Sequence, residues 1–448
     1  MPITDLERAH KALLDKLPKY NQLFEYAEGD QPLVYSTARL REAFDDFNAR
    51  FQQNWCSVVI NVTLDRMALL GFEVKDANKT NILAEIWQNE KIALEAYETH
   101  YSTLVTGEAF IVAWKSDDDK VEVYHNDPRM CHVFYNSGNP KKKEFACKWW
   151  RDEKEEAYYL TLYYSDRLEY YSVNAKSTPS SARAFLPMDP PSAPNPFGVI
   201  PVFHFRTSSK GPKSDIEPIL SLQDAINKLF ADMMVAGEYG AFRQRWIISN
   251  SDTSALKNSP NEIWSIPAGD GQGQQSSVGD FNPTDLDNYL QAMDKIAAVI
   301  AIVSRTPKHF FFGSAADVSG EALLVAETPL IKKVKQYESN FDSSWSELGA
   351  FLLRLSGSGE TSQDEVTPLW APLHSVQPAT EATTLKTNIE AGIPLVTQLR
   401  RQGWTEDELE AMQKDEADQK AKTTSMASAL LEQARIKQEQ ANDGDGNS

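Results

Sequence analysis

Two residues in the stretch VYHNDPRMCH have the types and spacing of a catalytic pair. His125 could act as a general base and Asp127 could orient it, because a carboxylate bound to one ring nitrogen leaves the other nitrogen to accept a proton. The letters Asn-Asp-Pro after a strand-like run are also typical of a turn, since Asn and Asp side chains bond nearby backbone groups. We therefore interpret 126–128 as a turn after a strand, rather than as part of an active site.

A second stretch, GSAADVSGE, brings hydroxyls and carboxylates together at Ser314, Asp317, Ser319 and Glu321. Nucleophilic catalysis needs a hydroxyl beside a base. Ser319 is better explained as the N-cap of a following helix, because a serine hydroxyl satisfies backbone N–H groups at a helix start. This stretch therefore predicts a loop that enters a helix.

Two charged stretches could bind ligands. The acidic 115–120, KSDDDK, has the oxygen ligands of a divalent cation site, and the basic 139–145, NPKKKEF, clusters lysines, but both have the composition of turns or edges in a sheet. The seven histidines lack metal spacing, and the HExxH, GxSxG, Walker A and GxGxxG patterns do not occur. We expect no enzymatic activity, no metal and no cofactor.

Composition excludes further classes. The 448 residues carry 45 basic and 64 acidic side chains, a formal net charge of −19, which argues against wrapping a nucleic acid. The cysteines Cys56, Cys131 and Cys147 fit neither a disulfide framework nor a zinc site, and the charged amphipathic start is unlike a signal peptide. No apolar run approaches the roughly 18 residues that span a bilayer. We expect a protein made in a reducing cytoplasm, without membrane contact.

Apolar periodicity predicts the helices and strands that would position these residues, and together they indicate an α+β chain. Helices dominate up to Gly107, and short alternating runs at 108–173 predict an antiparallel sheet. The six prolines of 174–198 predict an irregular surface loop. A small helical module is predicted near the C-terminus, and the last residues have the composition of a disordered tail.

A long helix is predicted from Ser214 to about residue 240, where some 26 residues would reach on the order of 39 Å. Its apolar positions form one stripe: Ile219, Leu222, Ile226, Leu229 and Met233. A projecting helix has too little cover for this stripe within one chain. We expect the stripe to contact copies of the same chain in a closed ring.

The chain then makes an excursion and returns. Two short strands, RWIIS and EIWSIP, precede a Gly/Gln/Ser-rich tip at 268–280 that should be mobile. A second long helix over 282–306 is stopped by Pro307, and a third runs from Ser319 to about Leu355. A short flexible stretch with three phenylalanines joins these two helices.

The ordered signatures of the chain resemble the phage portal proteins, in particular those related to the portal of phage SPP1. The similar segments are YAEGDQPLVYS, NWCSVVINVTLDRMALLGFEV, IPVFHF followed by GPKSDIEPILSLQDAINKLFADMMVAGEYGAFRQRW, and SRTPKHFFFGSAADVSGEALLVAETPLIKKVKQ. The resemblance covers about residues 20–415. The ordered combination is far more specific than any single segment.

The resemblance implies a mainly helical portal fold with long stem and wing helices, an antiparallel β wing and a small α/β clip, assembled as a ring of about twelve subunits. It divides the chain into an N-terminal wing at 1–213, a stem helix at 214–240, a clip at 241–281, a returning stem helix at 282–306, a tunnel loop at 307–318, a long wing helix and strand at 319–378, a crown at 379–425 and a tail at 426–448.

The resemblance also implies residue roles. Phe310, Phe311 and Phe312 would anchor the tunnel loop, and the stem stripe would be an oligomer interface. The DNA-facing tip would be Gly313, Ser314, Ala315, Ala316, Asp317 and Val318. The clip residues that dock partners would be Gly269, Asp270, Gly271, Gln272 and Gly273.

The implied function is a non-enzymatic conduit in the virion, at one capsid vertex, for packaging and ejection of double-stranded DNA. The implied partners are major capsid and scaffolding proteins, terminase and a head–tail adaptor. Twelve copies at −19 each would carry roughly −228 formal charges, which would repel DNA and keep it sliding. The alternatives are another ring-forming virion protein without DNA conduction and, third, a metal-dependent hydrolase that uses the turns at 115–132.

Overall fold

The computed structural model describes residues 3–32, 53–116, 118–241, 245–248, 277–282, 285–312, 320–373 and 378–401, together with residues 409, 412 and 414. The chain divides into two compact units, Met1–Ala371 and Pro372–Ser448. Helices and antiparallel strands both contribute, which confirms the predicted α+β class. The proposed tunnel-loop tip at 313–318, the clip-docking residues 269–273 and the tail at 426–448 lie outside the described residues.

In the described residues before the sheets, the helices are α1 (Asp5–Glu28), α2 (Trp55–Leu64), α3 (Ala77–Asn89) and α4 (Ile92–Thr106). A capping box starts α1, because the Thr4 hydroxyl accepts from the Glu7 N–H while the Glu7 carboxylate accepts from the Thr4 N–H. The helix ends at Gly29, which has a left-handed φ of 84°.

Two antiparallel sheets follow. The strands are β2 (Glu108–Lys115), β3 (Val121–Asn126), β4 (Cys131–Asn136), β5 (Asn139–Asp152), β6 (Ala157–Tyr163), β7 (Arg167–Asn174), β8 (Leu186–Pro194) and β9 (Val202–Arg206). Their order is β3-β2-β9 in one sheet and β4-β5-β6-β7-β8 in the other. The predicted antiparallel pairing is confirmed, although it is divided between two sheets.

Strand β8 corrects the interpretation of 174–198 as an irregular loop. Residues Leu186–Pro194 pair with β7, although prolines stand at positions 187, 190, 191 and 194. Proline lacks an N–H donor, so it is tolerated where one side of a strand needs no partner. β8 is the edge of its sheet, which is why a proline-rich segment forms a strand here.

The core lies on both faces of the five-stranded sheet. One face packs on α1, where Ala9 and Leu13 join Phe145 and Leu160 in a buried cluster. The other face packs on the three-stranded sheet, and the buried residues there are Phe110, Val112, Cys131, Val133, Ala146, Tyr163, Leu168, Ile200 and Val202. Alternation along the strands places these side chains on opposite faces, as a period of two requires.

The described remainder of the larger unit consists mainly of long helices, with short strands between and after them. The elements are α5 (Leu220–Ala241), β10 (Arg245–Ile248), β11 (Ser277–Asp280), α6 (Asp287–Ser304), α7 (Gly320–Leu355) and β12 (Val366–Trp370). β12 pairs with β1 (Leu69–Val74), and α5 packs against α6. The smaller unit contains α8 (Pro378–Glu390) and α9 (Leu395–Arg401).

Strand β11 corrects part of the predicted mobile tip, because 277–280 pairs with β10. Gly279 lies opposite Trp246, and a Cβ at Gly279 would come within 2.6 Å of the indole ring. The glycine therefore leaves room for the tryptophan to cover the strand. The strand predicted at 262–267 lies outside the described residues.

Candidate functional site

The three phenylalanines after α6 contact the N-terminal half of the chain. Trp55, the buried first residue of α2, lies against Phe311 and Phe312 at ring-centroid distances of 5.5 and 5.3 Å. The guanidinium of Arg66 lies 5.5 Å from the Phe310 ring centroid. These aromatic and cation–π contacts fix residues 310–312, which directly precede the proposed DNA-facing tip at 313–318.

Arg66 also reaches α7. Its Nη2 lies 3.0 Å from Glu327 Oε2, and His309 Nε2 lies 3.6 Å from the other carboxylate oxygen. One arginine therefore joins the segment after α2, the phenylalanine segment and the first turns of α7.

Polar side chains of α5 fix the start of α2, where Trp55 lies. The Gln223 side-chain oxygen accepts from the N–H groups of Trp55 at 2.8 Å and Cys56 at 3.3 Å, and the Asn227 side-chain oxygen accepts from the Gln53 N–H at 2.9 Å. Both amide side chains are buried. They satisfy N–H groups that a helix start would otherwise leave without partners, so α5 positions the aromatic contact.

The predicted stem stripe on α5 is only partly available to a neighbour. Ile219 and Ile226 are fully buried within the chain, so their interpretation as interface residues was wrong. Ile219 lies in the turn just before α5 and Ile226 lies within α5, and sequence periodicity alone could not show that the chain itself covers both side chains. Three residues of the stripe are half-buried: Leu222, Leu229 and Met233.

Helix α6 carries a different exposed face, which sequence analysis missed. Residues 296–303 are eight consecutive apolar residues, so the helix is hydrophobic all round there. Ile300 is fully buried on one side, whereas Val299, Ile302 and Val303 on the other side are 45, 78 and 46% exposed. A helix that is apolar on every side is normally covered on every side. The apolar run in the sequence was the signal that could have identified this face.

The two residues considered as a catalytic pair lie at the end of β3 and in the turn that follows it. His125 bonds the hydroxyls of Thr99 and Ser102, each at 3.2 Å, and burial lowers its pKa to about 4. Asp127 instead pairs with Arg129 and accepts from the backbone N–H of that residue, which confirms the predicted turn.

The two charged stretches also lie in hairpins. The Ser116 N–H bonds the Lys120 carbonyl at 2.8 Å, as expected for a turn between β2 and β3. In the basic stretch, Lys143 pairs with Glu347 of α7 at 2.8 Å. The proposed hydroxyl cluster at Ser314, Asp317 and Ser319 lies outside the described residues.

A buried charge cluster around Glu108 was not predicted. Glu108 Oε1 accepts from the Tyr20 hydroxyl at 2.8 Å and lies 3.4 Å from Lys16 Nζ, while Oε2 lies 3.0 Å from His204 Nε2. Burial would raise the pKa of Glu108, but the Lys16 charge and the His204 hydrogen bond more than offset it and hold that pKa well below its usual range. Burial, and next the Lys16 charge, lowers the pKa of His132 to about 4.

The cluster joins α1, the start of β2 and strand β9, so its chemistry is a structural tie between segments far apart in sequence. Burial also raises the pKa of the thiols of Cys56 and Cys131 to about 12, which leaves them without nucleophilic character near neutral pH. Across the ranges given above, no three His, Cys, Asp or Glu side chains lie close enough to hold a metal ion. Within the same ranges, no helix is both long and apolar enough to cross a membrane.

Comparison with known proteins confirms the predicted resemblance. The family model described as "Phage portal protein, SPP1 Gp6-like" matches residues 7–422. The portal protein of Mycobacterium phage L5 is 25% identical over 398 residues, which are 81% of this chain and 78% of that protein. The portal protein of Mycobacterium phage D29 is 24% identical over 394 residues, which are 80% of this chain and 77% of that protein. With the family match extending over most of its length, this chain belongs to the SPP1 Gp6-like phage portal proteins, a family of structural virion proteins.

Proposed function

We propose that this protein assembles into a closed ring of about twelve copies at one vertex of a phage capsid. The ring is a conduit for double-stranded DNA during packaging and ejection. It contacts major capsid and scaffolding proteins, and it is the docking platform for terminase and a head–tail adaptor. The protein is not an enzyme in this role.

The exposed apolar face of α6 is the observation that supports a ring most directly. Val299, Ile302 and Val303 lie on the side of α6 opposite its buried stripe, so no folding of the single chain onto α5 covers them. Burying apolar side chains stabilises a contact by about 25 cal/mol for each Å² of apolar surface removed from water. Identical chains can all bury this face at once when each copy offers it to a second, different surface of its neighbour, and such contacts close into a ring.

The helices fit the proposed portal parts. We assign α5 and α6 to the stem, β10 and β11 to the base of the clip, and α7 with β12 to the wing. The wing also holds the two sheets and α1–α4, and α8 and α9 belong to the crown. The contacts of Phe311 and Phe312 with Trp55 support the assignment of the phenylalanines as an anchor at one end of the tunnel loop.

The charge of the chain fits passage of DNA rather than a grip on it. With 64 acidic and 45 basic residues, each copy repels a polyanion. The proposed tip at 313–318 holds Asp317 and no Lys or Arg, so it offers no cation to a phosphate. A surface of this composition lets DNA slide.

The ring assignment is tested with the double substitution Val299→Asp and Ile302→Asp. Two charges in the apolar face should convert rings into folded monomers, because each charge would be buried unpaired at the contact. The matched control is Leu186→Asp and Met188→Asp on β8, which places the same charges on another exposed apolar pair. Native mass spectrometry distinguishes a monomer of 50.3 kDa from a ring.

Three results of this experiment separate the claims. Rings in the wild type and control with monomers in the α6 variant support the assignment. Rings of unchanged mass in the α6 variant would show that this face is not the contact. A monomeric wild type at micromolar concentration would overturn the ring itself.

A further inference from the structure

One buried lysine of α7 joins the end of α6 to the segment that precedes α5. Lys333 of α7 places its Nζ 3.0 Å from Asp215 Oδ2, and the two side chains are 6 and 8% exposed. The same Nζ donates to the carbonyl of Ser304 at 3.0 Å. Ser304 is the last residue of α6, where helix geometry leaves carbonyl groups without an intrahelical donor. Asp215 lies just before α5, so Lys333 ties together the ends of α5 and α6.

A tyrosine one turn further along α7 completes the arrangement. Tyr337 donates its hydroxyl to Asp215 Oδ1, and burial, with the nearby Asp215 charge, raises the pKa of that hydroxyl. We call Lys333, Asp215, Tyr337 and the Ser304 carbonyl the lysine node.

The lysine node is also tied to the wing. The Asp215 N–H donates to the Leu104 carbonyl in α4 at 2.9 Å. This approach requires glycine at position 107, because a Cβ there would lie 2.2 Å from the backbone nitrogen of Lys213. The node therefore stands where the helical pair α5 and α6 joins the rest of the unit.

Buried ion pairs contribute little net stability, since the cost of removing both charges from water offsets their attraction. Replacing both charges is often neutral for folding, whereas removing one leaves the other buried and unpaired. A buried ion pair instead fixes the relative orientation of the segments that it joins. An apolar contact tolerates a small slide, but one ammonium reaches a carboxylate and a helix-end carbonyl together only when the three segments keep one relative placement.

We propose that the lysine node fixes the angle of the α5 and α6 pair relative to α7 and thereby sets how many copies close the ring. This inference rests on the proposed ring, with the exposed face of α6 as one of its contacts. In a closed ring the rotation between neighbours is a full turn divided by the number of copies, about 30° for twelve and about 28° for thirteen. A change of roughly 2° in the direction of α6 is therefore enough to change the ring size.

The test removes both charges at similar side-chain volume, with Lys333→Met and Asp215→Asn in one chain. The matched control, Lys228→Met with Asp232→Asn, removes an ion pair of 2.8 Å that lies within α5 and joins no second helix. Native mass spectrometry of the purified assemblies gives the subunit number. We expect one ring mass for the wild type and the control, and two or more ring masses for the node variant.

The outcomes separate this inference from the ring proposal. A single, unchanged ring mass for a folded node variant would overturn the inference and leave the ring standing, whereas a monomeric wild type would overturn both. If the node variant does not fold, Lys333→Arg decides, because it keeps the charge paired with Asp215 but changes the reach from α7 to Asp215 and to the Ser304 carbonyl. Mixed or shifted ring masses for Lys333→Arg support the inference, and a single mass equal to that of the wild type overturns it.

Discussion

The two-sheet region buries its apolar surface, whereas the α5–α6 pair leaves part of its apolar surface exposed. Both faces of the five-stranded sheet are covered, and Phe145 and Leu160 are fully buried between strands and α1. On α6, Val299 and Ile302 belong to an equally apolar run but stay exposed. The sheets therefore form a core that one chain completes, whereas the helical pair leaves a surface that a second copy would complete.

Titratable groups follow the same division. Burial lowers the pKa values of four histidines that lie in the strands of the two sheets or in α4: His100, His125, His132 and His204. No histidine occurs at 207–306. Changes of pH should therefore act on folding of the two-sheet region and α4 more than on contacts made by α6. This difference in pH dependence, between folding stability and ring contacts, can be measured.

The largest expected effect is a loss of folding stability in mild acid. Burial lowers the pKa of His100 to about 3 and the pKa values of His125 and His132 to about 4, against 6.5 in an unfolded chain. Their stabilising contribution is complete above pH 6.5 and is lost as pH falls from 6.5 toward 4, because the unfolded chain takes up protons first. At about 1.4 kcal/mol per pKa unit, we expect several kcal/mol less unfolding free energy at pH 4.5 than at pH 7, measured by urea denaturation.

Carboxyl groups with raised pKa values oppose this trend, and Glu338 has the larger shift. Burial, and next the Asp342 charge, raises the pKa of Glu338 to about 7, so Glu338 favours the folded state as pH falls below 7. The His125→Gln variant isolates the histidine effect and should reduce the pH slope by up to one proton. An unfolding free energy that did not change between pH 7 and pH 5 would show that the folded state does not hold these imidazoles neutral.

The next largest effect is expected at the Glu108 cluster. Glu108→Gln would leave Lys16 buried without its charge partner, and we expect a loss of about 3–5 kcal/mol of unfolding free energy. Glu144→Gln is the control, because Glu144 pairs with Arg8 at the surface and should cost at most about 1 kcal/mol. Urea midpoints measure both variants, and equal losses would contradict the structural role of the cluster.

Sequence patterns predicted the helices and strands whose formation depends on residues within the same segment. Helical periodicity and stop signals placed α5, α6 and α7 to within a few residues, because spacing and breakers act within one segment. Strand β8 was missed because proline is excluded from most strands and only the edge position permits it here.

The candidate site was less predictable because its partners are distant in sequence. Lys16, Glu108 and His204 meet only after the sheets form, and Lys333 meets Asp215 across 118 residues. Periodicity predicted an apolar stripe at 219–233, yet it could not show that the same chain covers Ile219 and Ile226. The eight-residue apolar run at 296–303 is the sequence signal that could have identified the exposed face of α6 instead.

The smallest effect is expected at the phenylalanine segment. The two halves of the proposed loop at 307–318, the phenylalanines and the tip at 313–318, should respond differently to substitution. Phe311→Ala removes a half-buried ring from Trp55, so we expect a loss of about 1–3 kcal/mol and faster amide hydrogen exchange at 307–312 and 53–57. Phe281→Ala is the control, since it truncates an exposed phenylalanine elsewhere and should change neither measurement. Unchanged exchange at 53–57 in Phe311→Ala would contradict the anchor.

Deleting 314–317 should leave thermal stability and ring mass nearly unchanged, because these four residues, Ser-Ala-Ala-Asp, contain no large apolar side chain. Its effect should appear only in transport, as a lower fraction of DNA-filled heads when the variant complements a phage that lacks this protein. The anchor and the tip are then distinguished by which measurement moves: exchange and stability for Phe311→Ala, full against empty heads for the deletion. A normal yield of full heads would remove the DNA-facing role from 313–318, and failure of the deletion variant to form rings would make the segment part of the structural contact instead.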